Sequence, residues 1–340
     1  MKNKIMKRIP LLLLITLILS CKPDNNDIIE VKKTYTVKLG LTKLPPLRNI
    51  DYKYYLWASK NGENKLIGSF SLYTEIEANE GQEFSDYFNF DSISKEWTEE
   101  EINITLTINS RSELTSEPSD WTVAKGSGNL SSNSITLSLK GGLFESENQS
   151  FLNSKASFFI KAPSINSSGA NQNGIWFIKD LPPTESGFEN LPVLGENWEY
   201  SAWILVDDMD DTDDIVAVPI GKFTNTTQAD TSIYGNSFNN EFKGSNQVYP
   251  FIGEDFINDP NGKFPNLDFP LDLRKPSSVL NTKPYVMITI RPKSYTDSSK
   301  PFPIRAFTKS IVIDDQLSEK ITMDNRNLTV GFAASLSFGE

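Results

Sequence analysis

The chain has 340 residues, 38% hydrophobic and 23% charged, with 19 glycines and 19 prolines, which places it among globular proteins and outside the disordered and collagen-like classes. It has no histidine and one cysteine, which excludes Ser-His-Asp and Cys-His catalysis, histidine-bound metals, intrachain disulfides and cysteine-held zinc or iron–sulfur centres. A formal charge of −11 argues against nucleic acid as a partner.

Residues 1–20 have the layout of a secretion signal. Lys2, Lys4, Lys7 and Arg8 form a positive start, and the apolar run that follows ends at Ser20. That run is too short to span a bilayer, which needs about 20 residues. Ile18-Leu19-Ser20-Cys21 resembles a bacterial lipobox. The resemblance implies cleavage before Cys21 and acylation of its thiol and new amino group, so that the chain is held to the membrane by lipid. The alternative, a secreted soluble protein with one stray cysteine, is disfavoured because the only cysteine sits where the lipobox requires it. The 33 basic residues less these four leave 29 against 44 acidic ones, so an acidic body stands off from anionic headgroups and the lipid alone makes the membrane contact. Residues 21–32 are polar and read as a tether.

Strand signals dominate the rest. Residues 34–41, 102–108 and 135–139 alternate apolar and polar side chains, and 156–160, 285–290 and 328–332 read as further strands. Asn61-Gly62, Pro182-Pro183 and Asn261-Gly262 mark turns, and 94–100 offers one short helical turn. This pattern predicts an all-β protein of two tandem Ig-like β-sandwich domains, the first over 33–140 and the second, with a long insertion, over 141–340.

The halves are related. Leu44-Pro45-Pro46-Leu47, Tyr54-x-x-Trp57 and Gly68-x-Phe70 reappear as Leu191-Pro192-Val193-Leu194, Tyr200-x-x-Trp203 and Gly221-x-Phe223. The second copy is longer by an acidic run at 207–214 and by roughly 224–284. On a strand, Tyr-x-x-Trp sends its two rings to opposite faces, so only one of each pair is expected in a core. Gly-x-Phe fits a return strand whose glycine permits close approach or a bulge.

The order of these motifs resembles the extracytoplasmic domain of anti-sigma-K factors, and more nearly envelope lipoproteins that carry that domain in tandem. Gly174-Ile175-Trp176-Phe177, Trp198-Glu199-Tyr200, Gly253-Glu254-Asp255-Phe256 and Pro301-Phe302 are the segments most similar to those lipoproteins. The resemblance covers most of 35–310 and implies a β-sandwich sensor or interaction domain without catalysis. The chain has no sigma-binding segment or transmembrane helix, and Arg291 stands where those factors tend to have glutamate, so the sigma-regulating activity does not carry over.

Three clusters could carry chemistry. Asp208, Asp210, Asp211 and Asp213 could supply oxygens to Ca²⁺, but the EF-hand glycine and distal glutamate are missing, and a solvated hairpin tip is the favoured reading of the run. Six tryptophans raise the prospect of a glycan platform, with Trp198 and Tyr249 as candidate ligand-binding residues, against the ordinary role of strand-borne tryptophan as core. Glu254 and Asp255 lie among aromatics and are the carboxylate candidates for a hydrolase, but adjacent carboxylates do not easily flank a substrate bond, and Glu254 could instead pair with Lys263 or Arg274. The expectation is a non-enzymatic, lipid-anchored outer-membrane protein of a Gram-negative envelope that binds another envelope protein, with a glycan-binding lipoprotein of a polysaccharide-uptake system as the rival; the face of the membrane is left open.

Overall fold

The computed structural model describes residues 35–47, 51–72, 87–90, 97, 100–112, 116–129, 132, 134–165, 172–207, 215–229, 242, 249–259, 262–274, 284–297, 299–312 and 319–339. Cys21, the acidic residues Asp208, Asp210, Asp211 and Asp213, and most of the expected helical turn at 94–100 lie outside them.

Alternation makes the strands. In β1 (Tyr35–Thr42), Val37, Leu39 and Leu41 are buried while Lys38 is exposed. β2 (Tyr52–Lys60) and β3 (Glu63–Phe70) form a hairpin whose turn residues, Asn61 and Gly62, take φ of 50° and 84°, as a two-residue hairpin requires. β4 (Tyr87–Phe90), β5 (Glu101–Ser110), β6 (Thr122–Asn129) and β7 (Ser134–Leu137) follow. Next come β8 (Lys155–Ile160), β9 (Gly174–Trp176), β10 (Phe188–Glu189), β11 (Trp198–Asp207), β12 (Ile215–Phe223) and β13 (Gly253–Asp255). β14 (Tyr285–Pro292), β15 (Ile304–Ser310), β16 (Ile321–Thr322), β17 (Asp324–Asn325) and β18 (Ala333–Gly339) complete the chain order.

The fold is all-β, with antiparallel sheets in sandwich fashion. One sandwich combines the sheet β3–β2–β5–β6 with the sheet β4–β1–β18–β7. The other combines β12–β11–β14–β15–β17 with β10–β8–β9–β13, where β16 also pairs with β8.

The boundary expected between 140 and 141 is not where the sheets divide. β18, from the far end of the chain, lies between β1 and β7, with Leu39 opposite Leu336 and Leu336 opposite Ile135. The second sandwich is thus nested between β7 and β18 of the first. The physical reason is alternation again: Ala334 and Leu336 are buried and Ser335 and Ser337 exposed, so β18 supplies an apolar row that the first sandwich lacks without it. The strand expected over 328–332 is instead a turn. Asn327, Thr329 and Gly331 take φ of 50°, 59° and 78°, and the Phe332 amide donates to Thr329 O at 2.9 Å.

The repeat is geometric as well as textual. Tyr54 stands opposite Phe70 and Ile108, and Tyr200 opposite Phe223 and Ile290. Both hairpins bulge beside the glycine, between Leu56 and Trp57 and between Ala202 and Trp203. The neighbouring pairs bulge at matching places, between Leu106 and Thr107 and between Ile288 and Thr289. Tyr54 Oη donates to Pro45 O at 2.6 Å and Tyr200 Oη to Pro192 O at 2.7 Å, and each ring stacks on its phenylalanine, 5.4 and 5.3 Å between centroids. Lys43 and Asn190, just before each Leu-Pro, both take φ of 55°. The match extends to strands that the motif comparison leaves out: Ala334-Ser335-Leu336 on Ile135-Thr136-Leu137 corresponds to Ala156-Ser157-Phe158 on Ile321-Thr322-Met323.

The expectation of one core ring per Tyr-x-x-Trp fails. Tyr54, Trp57, Tyr200 and Trp203 are all buried, because the outer face is covered at both places. Thr107 and Asn109 are buried on that face in the first sandwich, and Ser201 and Thr289 in the second.

Candidate functional site

Trp57, Trp97, Trp176, Trp198 and Trp203 are buried, and Trp121 is half-buried. Trp198, expected as a ligand-binding residue, instead sits 1% exposed in the seam between the sandwiches, and its Nε1 donates to Thr122 O at 2.8 Å. Around it Tyr52 and Trp121 from the first sandwich meet Tyr295 and Phe302 from the second, with centroids 5.1–6.4 Å apart. Trp121 Nε1 donates to Ser294 Oγ at 2.8 Å, Ser294 Oγ to Asp120 Oδ2 at 3.0 Å, and Asn197 Nδ2 to Asp120 O at 3.1 Å. The backbones close in as well. A Cβ on Gly195 would lie 2.0 Å from Gly142 O, so the seam requires glycine there.

Tyr249 falls elsewhere, on the outer side of the sheet β8–β9–β13. It is half-buried, with its ring edge-on to Trp176 at 5.3 Å. Phe159, Ile178, Phe251 and Leu181 complete that small apolar cluster. Burial, and then the charge of Asp255, push the Tyr249 hydroxyl above its ordinary pKa. So the two expected ligand-binding residues are not brought together.

Asp255 is fully buried. Its Oδ1 accepts from Trp176 Nε1 at 2.6 Å and its Oδ2 from the Ser164 amide at 2.7 Å. Gly174 makes room, since a Cβ there would lie 2.7 Å from Asp255 Oδ1. Buried carboxylates survive by such hydrogen bonds. Glu254 and Asp255 are consecutive on β13, so they point to opposite faces.

Sequence reading missed the ion pair Glu199–Arg291. These residues are cross-strand partners, Nε to Oε1 3.3 Å, with 4% of the arginine and 12% of the glutamate side chain exposed. Arg291 Nη2 donates to Tyr295 O and the guanidinium lies 5.0 Å from the Tyr295 ring centroid. Desolvation raises the Glu199 pKa against the pull of Lys222, Arg291 and Lys293, and desolvation lowers that of Arg291. The signal was present: Arg291 occupies the position of Asn109 in the first copy, and Glu199 that of Lys53.

The second missed feature is an edge. β3 and β12 are equivalent outer strands, and among the described strands β12 pairs only with β11. β3 carries Glu63, Asn64 and Lys65 where β12 carries Val216, Ala217 and Val218, and Ile215 is 61% exposed at the start of β12. Charged side chains on an edge discourage pairing with another strand, and apolar ones permit it.

Among the described residues no group of three or more carboxylate or cysteine side chains is placed to hold a metal, and no helix is long and apolar enough to cross a membrane. No family model, curated protein or solved structure matches the chain.

Proposed function

We propose that the protein is a lipid-anchored, non-enzymatic component of the bacterial envelope that binds another envelope protein along β12. The observation that carries this reading is the contrast between the two equivalent edges: Glu63, Asn64 and Lys65 on β3 stand where β12 has Val216, Ala217 and Val218, and β12 opens on Ile215, 61% exposed. The fitting partner is an extended segment with alternating apolar side chains, which meet Ile215 and Ala217. Pro219 limits the pairing length, having no amide to donate. The lipobox supports the anchor, and the interlocked sandwiches support a rigid body displayed on a tether.

The test is cross-linking of the tagged, lipidated chain to detergent-solubilised envelope of its host. One partner is expected in near-stoichiometric yield, lost with Ile215→Lys plus Ala217→Lys and kept with Leu66→Lys on β3. Equal capture by both variants contradicts the assignment to β12. The half-exposed Tyr249 ring keeps the glycan reading in view. Glycan arrays with and without Ca²⁺ address it, and binding abolished by Tyr249→Ala would favour it over a protein partner.

A further inference from the structure

We infer that β18 is exchangeable between two copies of this chain, so that the first sandwich of one copy is closed by β18 of a second. The inference is independent of the partner proposed for β12. The slot and its occupant are both visible. β18 pairs over seven residues with β1 and four with β7, from Thr36 opposite Gly339 to Thr42 opposite Ala333. A second copy supplies the same residues in the same register. Exchange of an identical element preserves every contact of β18 with β1 and β7, which is why it is a low-cost route to a dimer.

What tips the balance is the connection. Residues 326–332 carry the chain from β17 of the second sandwich to β18 of the first, and three of them take left-handed φ: Asn327, Thr329 and Gly331. Asparagine and glycine tolerate that region. Thr329, at φ 59°, is the one β-branched residue among the described non-glycine residues with positive φ, and it is strained there. Thr42 Oγ1 accepts from the Ala333 amide at 3.0 Å and so fixes the end of the tight turn. An extended connection to a neighbouring copy releases the left-handed Thr329 twice per dimer, and strained short hinges are the ones that open into exchange.

Gly40 and Ser335 provide the probe, because they are cross-strand partners and a Cβ on Gly40 would lie 3.5 Å from Ser335 Oγ. Two full-length chains carry Cys21→Ser, one with Gly40→Cys and the other with Ser335→Cys, on tags of different mass. They are unfolded, mixed, refolded in a glutathione redox buffer and compared with each chain refolded alone. Exchange predicts a disulfide between the two different chains in at least tenfold excess over either chain bonded to itself. Thr329→Gly should lower that yield several-fold, and light scattering of the chain carrying only Cys21→Ser should show a species of twice the chain mass. The inference is overturned if both chains refold with native circular dichroism, the mixed disulfide stays at the self-linked level, and a chain bearing both cysteines closes only on itself.

Discussion

The outer strand of the first central sheet carries Glu63, Asn64 and Lys65 at the positions that Val216, Ala217 and the buried Val218 hold on the matching strand of the second, where Ile215 is also exposed. Everything behind those edges is alike: the buried tyrosine bonded to a prolyl carbonyl, the phenylalanine stacked on it, the paired bulges. The comparison separates what the sandwich needs from what each copy does with it. Positions that set register are kept, and positions at the edge and on the outer face are free to change. Asn109 became Arg291, and Tyr55 became Ser201, with consequences for a seam and a tryptophan respectively.

The seam is where the copies depend on each other, so the largest effect is expected there. Trp198→Ala should destabilise the protein by about 3–5 kcal/mol, the usual cost of truncating a buried aromatic. Chemical unfolding followed by fluorescence should then lose its single transition and show two, since the sandwiches are no longer joined through Thr122 O. Tyr54→Phe and Tyr200→Phe each remove one buried hydroxyl bond and strand one prolyl carbonyl, so each should cost about 1–2 kcal/mol. The two values should agree within error; a large difference would break the equivalence of the copies.

A sharper distinction lies in the tryptophans. Trp203 Nε1 donates to Ser201 Oγ at 3.0 Å, whereas Trp57 Nε1, equally buried, meets no acceptor. Trp203→Phe should therefore cost about 1 kcal/mol more than Trp57→Phe in denaturant melts. The smallest effect concerns pH. Burial raises the Glu199 pKa above its unfolded value, so its contribution favours the fold below the unfolded pKa and is lost as pH rises through the folded one. Glu199→Gln should flatten the stability–pH curve on the alkaline side of the ordinary carboxylate range, and the matching substitution Lys53→Gln in the first copy should not.

Much of the fold was legible because alternation is a local signal. β1, β5, β7, β8 and β14 fall close to where their apolar periodicity placed them. Gly-x-Phe fits a close approach or a bulge, and a bulge stands beside the glycine in both copies. What escaped was non-local. Nothing in residues 333–339 says that their partner lies some 290 positions earlier, and the Leu328–Phe332 pattern mimics a strand until the left-handed residues turn it. The candidate site was less legible still. A tryptophan beside a hairpin reads the same whether it faces solvent or another sandwich, and Trp198 faces the latter. The carboxylates at 254 and 255 are easy to notice as sequence neighbours, while the ion pair of Glu199 with Arg291 is separated in sequence and joined only by register.

The central claim is that the second sandwich is nested within the first and that β18 closes the first. Hydrogen exchange on the full chain and on a chain ending at residue 325 tests it most directly. The account predicts that removing residues 326–340 abolishes protection in β1 and β7, far away in sequence, while β11 and β14 stay protected. Loss of protection confined to β15 and β17, with β1 and β7 unchanged, would contradict it.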